Sequence, residues 1–198
     1  MHKISSHFLF IIKKLFFCTL LTIVGLPFVK AQSNEVEVQR VEGELRVGLT
    51  APLGGFHGGN ATVGPAFGVE IRYNIPKSSW DMGFQINATT AVRKFHSSNY
   101  TYEQSNRSVN YLLTGGYNFG QGKKVNPFVG AGFGLNFYDA IDDVVYDGSG
   151  KCFTFAPRVG VELFHHLRFT LTSNITRTGY SNIEFTIGGV IGGRPKKR

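Results

Sequence analysis

The feature that most constrains this chain is a strict alternation of apolar and polar residues from 63 to 76. One parity holds Phe67, Val69, Ile71, Tyr73 and Ile75, and the positions between them are small, charged or amide residues. Successive side chains of a β-strand point to opposite faces, so the stretch predicts a strand with one apolar and one polar face. On a helix, the same apolar residues would scatter around the cylinder instead of forming a stripe.

The same alternation recurs along the chain with little interruption. It occupies eight stretches, at residues 45–51, 63–76, 80–89, 109–118, 129–137, 153–163, 167–175 and 183–191. Most of them approach the roughly 9–11 residues that a tilted membrane-spanning strand needs. We therefore predict an all-β fold, a transmembrane antiparallel up-and-down β-barrel of about eight strands, over residues 41–193.

The connections between these stretches are of two kinds, and the two kinds alternate. Those at 76–79, 120–124 and 165–166 are compact, whereas those at 54–63, 95–106 and 139–150 are longer and more polar. Outer-membrane barrels have short periplasmic turns and longer external loops, so we place the compact connections in the periplasm. Beside two of the compact turns we predict membrane-interface aromatics, namely Tyr73, Trp80, Tyr117 and Phe119.

The alternation alone does not decide which face points outward, because a soluble lipocalin-like barrel has the opposite arrangement. The polar face here is rich in glycine, which suits a crowded interior better than a surface in water. It also carries acids and bases in comparable numbers, and buried charges must pair. We predict an internal ion-pair network that fills the lumen and leaves no wide channel, formed by Glu44, Arg46, Glu70, Arg72, Arg93, Arg158, Glu162, Arg168 and Glu184.

The N-terminal segment has the features of a secretory signal. Basic residues precede an apolar run at 15–29, and Val29 and Ala31 are small residues at the −3 and −1 positions. An uncleaved membrane anchor is the alternative, but the run is short and holds Gly25 and Pro27. We predict a signal peptide at 1–31 and a polar lead-in at 32–40. Cleavage near Ala31 would leave Cys152 as the single cysteine, which excludes an intramolecular disulfide.

The net charge of +8 does not point to a nucleic-acid partner. Residues 1–31 carry four lysines and no acid, and the tail at 194–198, predicted to be periplasmic, carries four basic residues, so the remainder is neutral. The acidic stretch from Asp139 to Gly148 lacks the ligand spacing of a calcium loop. We expect neither a metal nor a cofactor.

The whole pattern resembles the small outer-membrane barrel proteins described as porin-like, related in shape to the OmpA and OmpX barrels. That resemblance implies a multi-pass protein of the Gram-negative outer membrane with a structural or surface-interaction role, exercised through the loops at 54–63, 95–106 and 139–150. Its implied partners are outer-membrane lipid, lipopolysaccharide and the barrel-assembly machinery, and the sequence names no extracellular ligand. A small-solute porin is the alternative.

One short segment suggests a different class of function. Residues 93–99 read R-x-x-H-x-S-N, which resembles the active-site segment of the outer-membrane lipid A deacylase PagL. The resemblance implies Ser98 as nucleophile and His96 as base, with Glu103 as the candidate acid, since a hydroxyl nucleophile needs an adjacent oriented base. The start of a polar loop explains the same residues, and we expect no enzymatic activity, with the lipid A acyl-ester hydrolase as the alternative.

Overall fold

The computed structural model describes residues 38–53, 60–96, 101–142, 146–176 and 180–192. Within these ranges the chain forms nine strand segments. They are β1 Val41–Pro52, β2 Asn60–Thr62, β3 Gly64–Asn74, β4 Trp80–His96, β5 Thr101–Asn118, β6 Val125–Asp142, β7 Tyr146–Leu163, β8 Leu167–Asn174 and β9 Asn182–Ile191.

Pairing between β1 and β9 closes the sheet into a barrel. All pairings are antiparallel, and β1 has β3 on one side and β9 on the other. Segments β2 and β3 are separated by Val63 alone and both pair with β4, so together they form one strand of the barrel. The result is a closed eight-stranded barrel, which confirms the predicted fold class. Among the described residues, no helix has the length and apolar character needed to cross a membrane.

The two ends of the barrel differ. The connections at 75–79, 119–124 and 164–166 lie at one end, called here the turn rim. In the last of them, Phe164 and His165 have φ values of 54° and 65°, and the His166 amide donates to the Leu163 carbonyl at 3.1 Å. Two successive residues with positive φ are typical of the tight turns that suit the twist of a β-hairpin. The opposite end, where β1, β4, β6 and β8 finish, is called the loop rim.

Four neighbouring strands extend past the others at the loop rim. Strands β4 to β7 have 17 or 18 residues each, whereas β1, β3, β8 and β9 have between 8 and 12. The loop-rim ends of β4, β5, β6 and β7 therefore form a four-stranded extension, called here the projecting sheet. Its pairs run up to His96 with Thr101 and Ile141 with Tyr146.

The predicted bounds of the long loops are wrong. The loops placed at 95–106 and 139–150 are strand over most of their length, and the loop placed at 54–63 contains β2. The reason is that hydrophobic alternation reports an apolar surface on one face only. In the projecting sheet the few apolar residues, such as Val92 and Phe95, fall on opposite parities, so the alternation stops while the backbone pairing continues.

The apolar parity of every strand faces outward. The outward side chains of Phe67, Val69 and Ile71 are 56%, 46% and 65% exposed, and the alternating polar positions are buried inside the barrel. A soluble barrel would bury these apolar residues in its centre. The lipocalin-like alternative is therefore excluded, and the outer surface has the character of a face in hydrocarbon.

Candidate functional site in the barrel lumen

The inward faces of β1 and β3 place acidic and basic side chains opposite one another. Glu42 is directly opposite Arg72 in the register, and Glu44 is opposite Glu70. Side chains on directly opposite positions of an antiparallel pair lie within contact distance, so the first pair attracts and the second repels. The repulsion is offset by arginines that reach Glu44 and Glu70 from other positions in the lumen.

Arg72 is the centre of the half of the lumen nearer the turn rim. Its guanidinium donates to Glu42 Oε2 from Nη2 at 2.9 Å and from Nε at 3.3 Å, and its Nη1 donates to Glu44. Carboxylate oxygens of Glu70 and Glu162 lie 3.6 Å and 3.8 Å from the same guanidinium. The Arg72 guanidinium therefore contacts four carboxylates. Its planar fork of donors makes this possible, whereas the single ammonium group of a lysine would not.

Glu70 receives most of its partners from across the lumen. The Nη1 atom of Arg158 on β7 lies 2.8 Å and 2.7 Å from its two carboxylate oxygens, and the Thr114 hydroxyl donates to Oε1 at 2.8 Å. Arg46 Nη1 is 3.8 Å away. These contacts join β3, β5, β7 and β1, so a single carboxylate ties together strands from the whole circumference.

Arg168 completes the charged cluster from β8. Its guanidinium lies 3.6 Å above the ring of Phe128, and its Nη1 is 3.5 Å from Glu162. A guanidinium over an aromatic face gains a cation–π attraction that is stronger when water is excluded. The cluster as a whole holds four arginines and four glutamates, so its formal charge cancels: Glu42, Glu44, Glu70, Glu162, Arg46, Arg72, Arg158 and Arg168.

Two lumen glycines explain how such long side chains fit. A Cβ atom placed at Gly68 would lie 2.6 Å from Nε of Arg46, and one placed at Gly188 would collide with the Glu44 carboxylate. The charged side chains therefore lie flat against the opposing strand backbone. This close approach is the physical reason that the polar face combines glycine with ionisable residues.

The half of the lumen nearer the loop rim is mostly neutral. It is filled by buried amides and hydroxyls, among them Asn87, Asn110, Asn136, Thr154, Asn174 and Asn182. Glu184 is the exception, since it is 1% exposed and accepts from Asn87 Nδ2 at 2.6 Å and from Asn174 Nδ2 at 3.3 Å. In the described part of the chain, no cationic nitrogen lies within 4.0 Å of its carboxylate.

Of the nine charged residues predicted for the lumen, the structure buries eight, and the Arg93 side chain lies outside the described residues. Seven of the eight belong to the charged cluster, and Glu184 stands apart from it. Sequence reasoning missed Glu42, which binds Arg72, and Asp81, which accepts from Asn118 Nδ2 at 2.6 Å. Both residues have lumen parity. Asp81 lies within the predicted stretch 80–89, and extending the alternation of the first stretch by three residues would have included Glu42.

The alternative catalytic residues are not brought together. His96 is exposed, and its Nδ1 atom lies 3.0 Å from the Thr101 hydroxyl. The Glu103 carboxylate is 2.6 Å from Lys94 Nζ, its direct cross-strand neighbour. Ser98 lies outside the described residues. In the part of the chain that is described, no carboxylate is within 4.0 Å of the His96 ring, so the acid that the hydrolase resemblance requires is not placed there.

Three of the four predicted interface aromatics form a continuous row near the turn rim. The Trp80 and Tyr117 rings are edge-to-face with centroids 5.2 Å apart, and Tyr117 and Phe119 repeat this geometry at 5.1 Å. Tyr73 is outward-facing on β3 and 39% exposed. Edge-to-face pairs add to the apolar area that each ring buries, and the polar tips of tyrosine and tryptophan can remain in the headgroup layer.

The charged cluster fills part of the lumen with paired side chains. Its carboxylates are each engaged by arginine, and over the described ranges no group of three His, Cys, Asp or Glu side chains is arranged to hold a metal ion. An eight-stranded barrel is just wide enough for its side chains to fill it.

Comparison with known proteins gives a family and a fold. The family model for the outer membrane protein beta-barrel domain matches residues 16–190. No curated protein sequence matches the chain. Among solved structures, Neisserial surface protein A superposes with a TM-score of 0.50 at 10% identity, covering 77% of this chain and 96% of its own.

Two further solved structures resemble the chain more weakly. The N-terminal barrel domain of Pseudomonas aeruginosa OprF gives a TM-score of 0.46 at 15% identity, over 78% of this chain and 99% of that domain. The outer membrane enzyme PagL gives 0.42 at 14% identity, over 76% and 98%. At such identities the likeness concerns the fold alone.

Proposed function

The chain belongs to the outer membrane protein beta-barrel domain family, and from that premise we propose that it is a filled barrel of the outer membrane with a structural or surface-interaction role. The projecting sheet is the part that would meet extracellular partners. A wide pore is not part of this proposal.

The observation that carries the proposal is the charged cluster across the lumen. Arg158 and Glu70 join opposite sides of the barrel at 2.7–2.8 Å, and Arg72 binds Glu42 and Glu44 beside them. All five side chains are at least nine-tenths buried. A solute larger than water would have to break several charge-assisted hydrogen bonds to pass, and such bonds are among the strongest that proteins form.

The orientation follows from the unequal ends of the barrel. Outer-membrane barrels place short turns in the periplasm and longer connections outside the cell. The projecting sheet would therefore rise above the outer leaflet, where its paired strands give a stiffer platform than open loops. This supports an interaction role.

The proposal includes the route to the membrane. We expect export through a signal peptide at residues 1–31 with cleavage near Ala31, and insertion by the barrel-assembly machinery. Residues 1–37 and the basic tail at 194–198 lie outside the described residues. N-terminal sequencing of the mature protein from the outer-membrane fraction tests the cleavage site.

A conductance trace tests the filled lumen. Purified protein in a planar bilayer should give no stepwise conductance of porin size, and a variant with Arg72, Arg158 and Glu70 all changed to serine should conduct more than the wild type. Regular porin-sized steps from the wild type would support the small-solute porin instead and overturn the proposal.

Epitope accessibility tests the orientation. An epitope inserted at 97–100, between β4 and β5, should be labelled by antibody on intact cells. The matched insertion at 121–123, in the turn rim, should be labelled only after the outer membrane is permeabilised. The reverse result would place the projecting sheet in the periplasm and refute the surface role.

The lipid A acyl-ester hydrolase is tested separately by mass spectrometry. Lipid A from cells that express the protein should keep all of its acyl chains. Loss of one chain, abolished by Ser98→Ala or His96→Ala, would establish the enzyme in spite of the contacts that His96 and Glu103 make with Thr101 and Lys94.

A further inference from the structure

A shallow apolar groove lies on the outward face between β5 and β6. It has a volume of about 470 Å³ and is lined by Val109, Tyr111, Leu135 and Phe137. Val109 is directly opposite Phe137 and Tyr111 is opposite Leu135, so the groove follows two successive cross-strand pairs. The Tyr111 and Phe137 rings are edge-to-face with centroids 5.7 Å apart. This wall is apolar, so it suits a hydrocarbon chain.

The groove ends where the outward surface changes from apolar to charged. Arg107 is the next outward residue beyond Val109 on β5, and Lys151 on β7 is directly opposite Phe137. Residues two apart on a strand are about 7 Å apart, and antiparallel partners about 5 Å. Both cations therefore lie within a side chain's length of the upper end of the groove.

The two cations are available for an anionic ligand. Both side chains are exposed, and among the described residues no carboxylate lies within 4.0 Å of either one. Asp139 is directly opposite Arg107 on β6, so the patch has one acid beside its two bases and keeps a net charge of +1.

The rest of the loop rim, as far as the described residues show it, does not repeat this arrangement. The corresponding outward positions include Ala51 on β1, Ser173 on β8 and Ile183 on β9, which carry no charge. Lys94 on β4 is also outward, but its ammonium is 2.6 Å from the Glu103 carboxylate. The combination of unpaired cations with an apolar groove is therefore specific to one quadrant of the described barrel surface.

We infer that the groove and the two cations form a binding site for the lipid A part of lipopolysaccharide. One acyl chain would lie along Val109, Tyr111, Leu135 and Phe137, and a phosphate group of the glucosamine headgroup would accept hydrogen bonds from Arg107 and Lys151. Arginine binds phosphate through its planar fork and lysine as a point charge, and long basic side chains extend readily from an apolar surface to a headgroup. The site rests on the proposed orientation, with the loop rim in the outer leaflet.

The test compares charge-matched variants of the full-length mature barrel. Wild type, R107Q/K151Q and the control K123Q/K124Q each go into phosphatidylcholine nanodiscs, and binding of fluorescent diphosphoryl lipid A is titrated. The control removes the same charge from two exposed lysines at the turn rim. Heat-modified electrophoretic mobility verifies that each barrel is folded.

We expect R107Q/K151Q to bind lipid A at least tenfold more weakly than the wild type, a loss of about 1.4 kcal/mol or more, because the phosphate loses its charged hydrogen bonds. The control should bind like the wild type, and lipid A with its phosphates removed should bind all three proteins with equal weakness. Equal binding by R107Q/K151Q and wild type overturns the inference. Equal weakening by the control, or full competition by phosphatidylglycerol, overturns the assignment to lipid A.

The groove has its own variant. Leu135→Trp fills the groove with an apolar side chain of greater volume, so it should weaken binding while Arg107 and Lys151 are intact. Leu45→Trp, on the outward face of β1 and outside the groove lining, is its control. The nanodisc titration reads the site whichever way the barrel faces in cells, so its result is distinct from that of the epitope experiment on orientation.

Discussion

Arg158 and Glu70 lie 88 residues apart along the chain, and Arg158 Nη1 is 2.8 Å and 2.7 Å from the two carboxylate oxygens of Glu70. The pair joins β7 to β3 through the middle of the barrel. Breaking a buried pair by removing one partner costs about 3–5 kcal/mol, because the remaining charge is left without compensation.

Glu70→Ala should lower the free energy of unfolding in detergent by about 3–5 kcal/mol. Urea titration followed by tryptophan fluorescence measures it, since Trp80 is the only tryptophan of the chain. The control is Glu103→Ala, which removes the carboxylate 2.6 Å from Lys94. Both side chains of that pair are more than two-fifths exposed, so its loss should stay below about 1 kcal/mol. Equal losses for the two variants would contradict a stabilising role of the charged cluster.

Glu184→Gln should not destabilise the barrel, whereas Glu70→Gln should, because Glu70 is paired with arginine. Glu184 is buried, and its described partners are the Asn87 and Asn174 amides, which a glutamine carbonyl can accept equally well. Removing a buried charge that has no cationic partner among the described residues should leave the free energy of unfolding unchanged or raise it. The same urea titration measures both variants. A large loss for Glu184→Gln would reveal a cationic partner for this carboxylate.

Gly68→Ala should destabilise the barrel by about 1–3 kcal/mol, because the added methyl group overpacks the lumen against Arg46. The matched control is Gly189→Ala on the outward face of β9, where an added Cβ would meet nothing within 4 Å. Alanine loses less backbone freedom on folding than glycine, so the control should be neutral or gain about 0.5–1 kcal/mol. Thermal unfolding by circular dichroism compares them, and equal effects would argue against the close approach at Gly68.

Trp80 should report the depth of the turn rim in the bilayer. Its ring is 55% exposed and packs edge-to-face on Tyr117, as expected for a side chain at the headgroup boundary. Lipids brominated near the carbonyls should quench its fluorescence more than lipids brominated near the chain ends. A variant with Trp80→Phe and Phe133→Trp moves the probe to the middle of the outward face of β6, and it should show the reverse order. If lipids brominated near the chain ends quenched native Trp80 more strongly, the turn rim would not lie at the membrane interface.

The faces of the strands could be predicted from the sequence, but the strand ends could not. From Leu45 to Ile191, one parity meets lipid and the other meets the lumen, and this two-residue period is visible in any single strand. The projecting sheet has no such contrast between its faces. Residues 101–106 therefore resemble a polar loop in the sequence, although their backbone pairs with β4 throughout.

The composition of the lumen could be predicted, whereas its pairing could not. Alternation indicates that Glu70, Arg72 and Arg158 point inward. It does not indicate that Glu70 meets Arg158 across the barrel, since that contact depends on the tilt and stagger of strands distant in the sequence. Glu184 lies apart from every described arginine because it is nearer the loop rim than the charged cluster. The sequence of a single strand does not reveal this relative position along the barrel axis.

The seam between β1 and β9 has a consequence for biogenesis. Until Leu45 meets Gly189 and Thr50 meets Glu184, a half-built sheet has no interior, and its arginines would face acyl chains. Each such arginine would cost about 2–4 kcal/mol at the bilayer midplane. Strand-by-strand entry is therefore unfavourable for this sequence, and the first and last strands must come together as the sheet passes into the membrane.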